Sequence, residues 1–153
     1  TDREARREEV QRTARDWPPS TTSVVPVIQL ARAELRKTIA FATNRWGDPE
    51  IALIDPDGGE VRRLTNSHGL DDYPAWSPDG TKLAFTSNRD GNLEIYVTDP
   101  AGAQFTNMTN ARTIENFAAW MPDGRLAFIS NRTGGFDLYV MRSLIQDRHV
   151  DSE

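Results

Sequence analysis

The sequence contains no cysteine. Disulfides, thiolate metal sites and a lipidated N-terminal cysteine are thereby excluded for this chain, while the compartment stays undecided. Histidine is scarce, with only His68 and His149. The first stands alone in a loop and the second in a polar tail, so neither reads as a metal ligand. No run approaches the ~18 apolar residues that a membrane-spanning helix needs. No Gly-x-Ser-x-Gly, zinc-helix or phosphate-loop motif is present, which removes the commonest sequence marks of hydrolases and nucleotide enzymes. The chain opens on Thr1 and shows no signal peptide, so the expectation is either a removed leader or a fragment of a longer chain.

Positive charge is in short supply where most of the chain lies. The net charge is −5, divided into +2 over residues 1–37 and −7 over residues 38–153. An acidic body argues against nucleic acid or an anionic membrane as its partner. Charged residues make up 27 % of the chain, with both signs mixed, and hydrophobic residues 37 %. That balance suits a loop-rich globular protein better than a disordered one.

What the chain does have is an internal repeat. Trp76 returns as Trp120, and Leu64-Thr65-Asn66 returns as Met108-Thr109-Asn110, both 44 residues on. The run LAFTSNR at residues 83–89 returns as LAFISNR at 126–132 and occurs earlier as IAFATNR at 39–45. A period in the low forties with strand-like content marks the blades of a β-propeller. The complete copy, residues 73–110, reads as four antiparallel strands over 72–76, 82–88, 94–98 and 104–109. In the second, Leu83, Phe85 and Ser87 share one face, with Ala84 and Thr86 on the other. Ser77-Pro78-Asp79-Gly80 makes the first turn: Pro78 presets φ, Asp79 bonds nearby backbone and Gly80 accepts a left-handed conformation. Met121-Pro122-Asp123-Gly124 repeats it. Such a unit buries its faces only between neighbours.

The run WSPDGTKLAFTSNRDGNLEIYV at residues 76–97 resembles the TolB-like propeller repeat family. The likeness covers residues 39–142, roughly two-thirds of the chain. It implies a six-bladed ring, partner binding on one face or in the central channel, and a periplasmic or cell-envelope location. Similar repeats occur in the propellers of prolyl oligopeptidase and tricorn-type proteases. Their triads lie on an α/β domain that has no counterpart here, and related metal-dependent lyases need several channel imidazoles. This chain carries about three blades where the family implies six.

Outside the central blade, residues 2–16 are rich in Arg, Glu and Ala and read as a helix with almost no apolar face. Val10 and Trp17 are its candidate partner contacts. Residues 18–23 form a Pro-rich linker, which makes 1–23 an arm. Residues 24–30 read as a strand, either the first of blade one or a closing strand for another blade; Pro26 favours an edge. Residues 31–37 look like a helical turn. Blade one continues with strands over 39–44, 50–55 and 60–65, and blade three has strands over 117–120, 125–130 and 136–141. The propeller region spans 24–142, and 143–153 is a polar tail.

The Asn-Arg pairs at 44–45, 88–89 and 131–132, with the acids Glu50, Glu94 and Asp137, form the most regular charged set. One copy per repeat fits recurring ion pairs and turn hydrogen bonds better than a single active site. Trp76 and Trp120 fit an inter-blade core. Trp46 breaks the repeat and is a candidate contact on a hairpin tip. The Asp-Gly turns resemble calcium loops but lack the full ligand ladder, so no cofactor or metal is expected.

Together these features indicate an all-β fold: a partial propeller of about three four-stranded antiparallel blades behind a short helical arm. The expected function is a non-enzymatic protein-binding or assembly module, contacting partners through loops 66–72, 87–92 and 112–116. Candidate contacts there are His68, Asp71, Asp72, Tyr73, Arg89 and Asp90. The partner would be a second copy closing a six-bladed ring or a larger heteromeric complex. The alternative is a fragment of the propeller of a peptidase or lyase.

Overall fold

The computed structural model describes residues 29–30 and 38–141. The helical arm with Val10 and Trp17, the linker, most of the strand expected over 24–30, the turn at 31–37 and the tail lie outside the described residues.

Tight turns and alternating apolar residues fold the chain into three antiparallel sheets. Blade one comprises β1 (Gln29–Leu30), β2 (Ile39–Trp46), β3 (Asp48–Ile54) and β4 (Arg62–Arg63), paired in that order. Blade two comprises β5 (Asp71–Trp76), β6 (Leu83–Ser87), β7 (Glu94–Thr98) and β8 (Phe105–Asn107). Blade three comprises β9 (Glu115–Trp120), β10 (Leu126–Ser130) and β11 (Asp137–Met141). Gln29 pairs with Ala40 and Leu30 with Ile39, so this segment is the first strand of its own blade one. The Pro-Asp-Gly corners close as their chemistry dictates, with Gly80 N–H donating to Ser77 O at 2.9 Å and φ at +70°.

The outer strands are shorter than the sequence pattern implies, because the ladder changes donors and acceptors partway. Leu64 N–H donates to Ile51 O at 2.8 Å, but Ile51 N–H donates to the Thr65 hydroxyl at 2.8 Å. Blade two repeats this, with Met108 N–H to Ile95 O at 2.8 Å and Ile95 N–H to Thr109 Oγ1 at 3.1 Å. A threonine side chain thus stands in for the backbone carbonyl that would have continued the strand.

The core lies between sheets. Ala40, Ala42, Ile51, Leu53 and Leu64 of blade one pack against Trp76, Leu83, Phe85, Tyr96 and Phe105 of blade two. Ala84, Ile95, Val97 and Met108 of blade two pack in the same way against Trp120, Leu126, Phe128, Tyr139 and Met141 of blade three. Each interface therefore joins the trailing face of one blade to the leading face of the next, with the alternation expected for β6. The Trp120 indole N–H crosses it to Ala75 O at 2.9 Å. The first strand β5 neighbours both β1 and β9, so the first strands form the inner wall, with β4 and β8 outside. This is the radial order of a propeller.

Candidate functional site

The loops expected to bear contacts are built around the repeated Asn-Arg pair. Asn88 brackets Leu70: its Oδ1 accepts the Leu70 N–H at 2.7 Å, and its own N–H donates to Leu70 O at 3.1 Å. Asn131 brackets Ile114 with the same two bonds. A Cβ on Gly69 would stand 2.2 Å from Asn88 Oδ1, and its φ is +105°, so the close approach requires glycine there.

The arginines of the second and third pairs reach back to an acid on the inner strand. Arg89 Nη2 meets Asp71 Oδ2 at 2.9 Å, and Arg132 Nη2 meets Glu115 Oε2 at 3.0 Å. Their Nε atoms donate to Ser87 and Ser130. Arg89 also lies over the rings of Tyr96, Phe105 and Phe85, at 4.7, 5.0 and 5.5 Å. For Arg89 and Arg132 the ion pair expected from the sequence exists, but with the acid that precedes the arginine and not the one that follows.

The following acids have another task. Glu50 is fully buried. It accepts from the Thr65 hydroxyl, Arg63 Nη2 at 2.7 Å and Ser67 N–H at 3.0 Å. Glu94 accepts from the Thr109 hydroxyl, Asn92 at 3.1 Å and Ala111 N–H at 2.8 Å. Ser67 then donates to Asp71 at 2.9 Å, and Thr113 donates to Glu115. Each carboxylate thereby ties an outer strand to the chain entering the next blade.

Asp71 is fully buried against Arg89, so neither offers a free charge to a partner, contrary to their place among the expected contacts. His68 and Asp90 are exposed, and Asp72 and Tyr73 are half-buried. Trp46 is 37 % exposed beside the β2–β3 turn, between the guanidinium groups of Arg45 and Arg63 at 5.6 and 5.2 Å.

Asp90 accepts from the Tyr96 hydroxyl and from Asn107 Nδ2 at 3.2 Å. These bonds, with the nearby Arg89 charge, hold its carboxyl below the usual range. Burial, reinforced by the hydrogen bond to Asp90 and by that group's charge, pushes the Tyr96 hydroxyl up from 10.0 to about 12. The folded state then holds the phenol proton more tightly than the unfolded chain. The associated stability is complete below the unfolded value near 10 and is lost as pH rises toward 12. Urea unfolding at about pH 9 and about pH 11 should show this fall in the wild type and a smaller one in Tyr96→Phe.

One pair was missed in the sequence. Tyr73 and Phe117 occupy the same position of β5 and β9, and their rings meet edge to face at 4.6 Å. Both have left-handed backbones, φ +53° and +54°, at a bulge in the inner strand. The preceding Asp72 and Asn116 carboxyl and amide oxygens accept their N–H groups at 2.7 and 2.8 Å, which supports a conformation that is costly for aromatic residues. Burial raises the Asp72 carboxyl, against the opposing effect of the Tyr73 N–H. The available signal was an Asx-aromatic dipeptide recurring at 44 residues.

Among the described residues, three of the exposed large hydrophobic side chains lie elsewhere, on blade three. Phe136, Leu138 and Val140 are 63, 63 and 41 % exposed. At the repeat positions of Leu138 and Val140, blade two has Ile95 and Val97, and blade one has Ile51 and Leu53, all buried under the next blade. The trailing face of blade three thus has the composition of an interface, and among the described residues nothing covers it.

The TolB beta propeller domain family matches residues 21–148. A TolB homologue of Chlorobium luteolum is 42 % identical over 53 residues, which are 35 % of this chain and 11 % of that protein. TolB of Acinetobacter baumannii is 34 % identical with a TM-score of 0.59, over 67 % of this chain and 26 % of that one. A TolB-type structure from Agrobacterium tumefaciens is 27 % identical with a TM-score of 0.64, over 69 % and 38 %. The chain thus spans about a tenth of the curated relative and a quarter to two-fifths of these solved chains. With its blades, corners and inter-blade carboxylates all repeating in phase, the chain belongs to the TolB β-propeller domain family.

Proposed function

We propose that this chain is a non-enzymatic binding or assembly module that engages a protein partner through the open side of blade three. The observation carrying this reading is the exposure of Phe136, Leu138 and Val140, when the residues equivalent to the last two are buried in both other blades. The engagement of Glu50, Asp71, Glu94 and Glu115 in structural bonds also supports a non-catalytic role. An envelope location belongs to the same reading and is supported by the TolB likeness alone. His68 and Asp90, on exposed loops, and the Tyr73–Phe117 pair on the inner wall are secondary contacts in this reading.

Light scattering of the full chain tests it. Wild type should self-associate at micromolar concentration or bind a hydrophobic dye, since the face is apolar. Leu138→Asp with Val140→Asp should give a folded monomer near 17.2 kDa that binds little dye. A wild type that is strictly monomeric, with mass and dye binding unmoved by the double substitution, would sink the proposal.

A further inference from the structure

The dipeptide Asp-Gly occurs at 57–58, 79–80, 90–91 and 123–124. All four copies sit at a turn with the same backbone closure. The glycine N–H donates three residues back, to the carbonyls of Asp55, Ser77, Asn88 and Met121, at 3.0, 2.9, 2.9 and 2.9 Å. Each glycine has a left-handed backbone. The turns differ in what holds the aspartate.

Asp79 Oδ1 accepts from the Ser77 hydroxyl at 2.6 Å, the Thr81 hydroxyl at 2.9 Å and the Thr81 N–H at 3.0 Å. Asp90 accepts from the Tyr96 hydroxyl and from Asn107. Asp123 accepts from the Arg125 N–H at 3.1 Å and from its Nε at 2.8 Å. Led by the Ser77 hydroxyl, the Tyr96 hydroxyl and the Arg125 N–H respectively, these donors hold all three carboxyls below the usual range. Asp57 is exposed, and its carboxylate takes no hydrogen bond or ion pair from any described residue. The chain beyond it is open as well: a Cβ added at Gly58 or at Gly59 would meet nothing within 4 Å.

We infer that Asp57-Gly58 is a site of spontaneous isoaspartate formation, a covalent modification that the fold suppresses at the other three Asp-Gly turns. The Gly58 nitrogen bonds to Asp57 Cγ. The amide proton and the carboxyl hydroxyl leave together as water, and a cyclic succinimide closes. Water then opens the ring. Addition at the α-carbonyl breaks its bond to nitrogen, leaving the chain linked through the side chain and the α-carboxylate free. Addition at the other carbonyl restores aspartate. Glycine permits the attack because no side chain shields its nitrogen and its backbone turns freely. The carboxyl must swing toward that nitrogen in its protonated form. At Asp79, Asp90 and Asp123 this first breaks hydrogen bonds to a charged group, and the protonated form is scarce. Loss of one such bond corresponds to a factor of ~10 or more in rate. At Asp57 no such bond stands in the way.

Trypsin separates the four turns into fragments 46–62, 64–82, 90–112 and 113–125. The full chain, aged while folded at neutral pH and physiological temperature, is digested and mapped by chromatography with mass spectrometry. Isoaspartate appears as a second peak of unchanged mass. In fragment 46–62 that peak should grow ~10-fold or more faster than in the other three. Ageing in oxygen-18 water should place heavy oxygen in the product, as ring opening requires. In urea the four rates should converge, because the dipeptide is common to all and only the fold separates them. Ser77→Ala with Thr81→Val should raise the rate in fragment 64–82 and leave 46–62 unmoved. Asp57→Glu, an exposed change that leaves the turn bond in place, should abolish the second peak of 46–62. The inference is overturned if 46–62 ages no faster than the others in the folded protein, or if its excess persists undiminished in urea. Survival of the second peak in Asp57→Glu would overturn it equally, by placing the change at Asp48 or Asp55.

Discussion

Glu50→Ala is expected to destabilise the protein by about 3 kcal/mol, measured as a lowered urea midpoint at constant slope. Glu50 is fully buried and serves three donors at once: the Thr65 hydroxyl, the Arg63 guanidinium and the Ser67 N–H. Alanine removes all three acceptor bonds. Arg63 is partly exposed and recovers water. Thr65 is buried and does not, and an unsatisfied buried donor costs roughly 1–3 kcal/mol. The bond to Ser67 is also the first link of a path through Asp71 to Arg89, so blade one loosens from the chain entering blade two. Glu50→Gln keeps an acceptor for Thr65 and should lose about half as much. A loss below about 1 kcal/mol for the alanine variant would mean that the buried carboxylate costs nearly as much to desolvate as its bonds return.

The second large effect comes from comparing one repeat position in two blades. Ile95→Ala should cost about 2–5 kcal/mol, because Ile95 is fully buried between blades two and three and its removal leaves a cavity. Leu138→Ala, at the same position of blade three, should stay within about 0.5 kcal/mol, because that side chain is 63 % exposed. The two residues share local sequence, strand register and turn chemistry, so the difference isolates what the neighbouring blade contributes. Equal losses would show that the trailing face of blade three is already covered in solution. Chemical denaturation at two protein concentrations separates cover by another copy from cover within the chain, since only the former depends on concentration.

Most of the blade architecture was legible in advance, because its causes are local. The Ser-Pro-Asp-Gly corner, the alternation in 83–87 and the Trp at 76 and 120 each act within a few residues. The outer strands were read too long, since nothing in Leu64-Thr65-Asn66 declares that a hydroxyl and not a carbonyl will meet Ile51. The site was less legible. Asp71 and Arg89 looked like free surface charges because each is polar and near a loop. Their 18-residue separation is closed only when β5 lies beside β6.

The sequence by itself determined the repeat, the four-strand plan of the central blade, its corners and the family to which the blades belong. Those follow from short-range sterics and from a hydrophobic period that survives in the linear order. The tertiary structure decided which acid meets which arginine, and that Tyr73 and Phe117 touch although 44 residues apart. It also decided that equivalent apolar faces are buried twice and, among the described residues, left uncovered once. Those outcomes depend on how sheets stack around an axis, and the same residues take opposite environments according to what stands next to them.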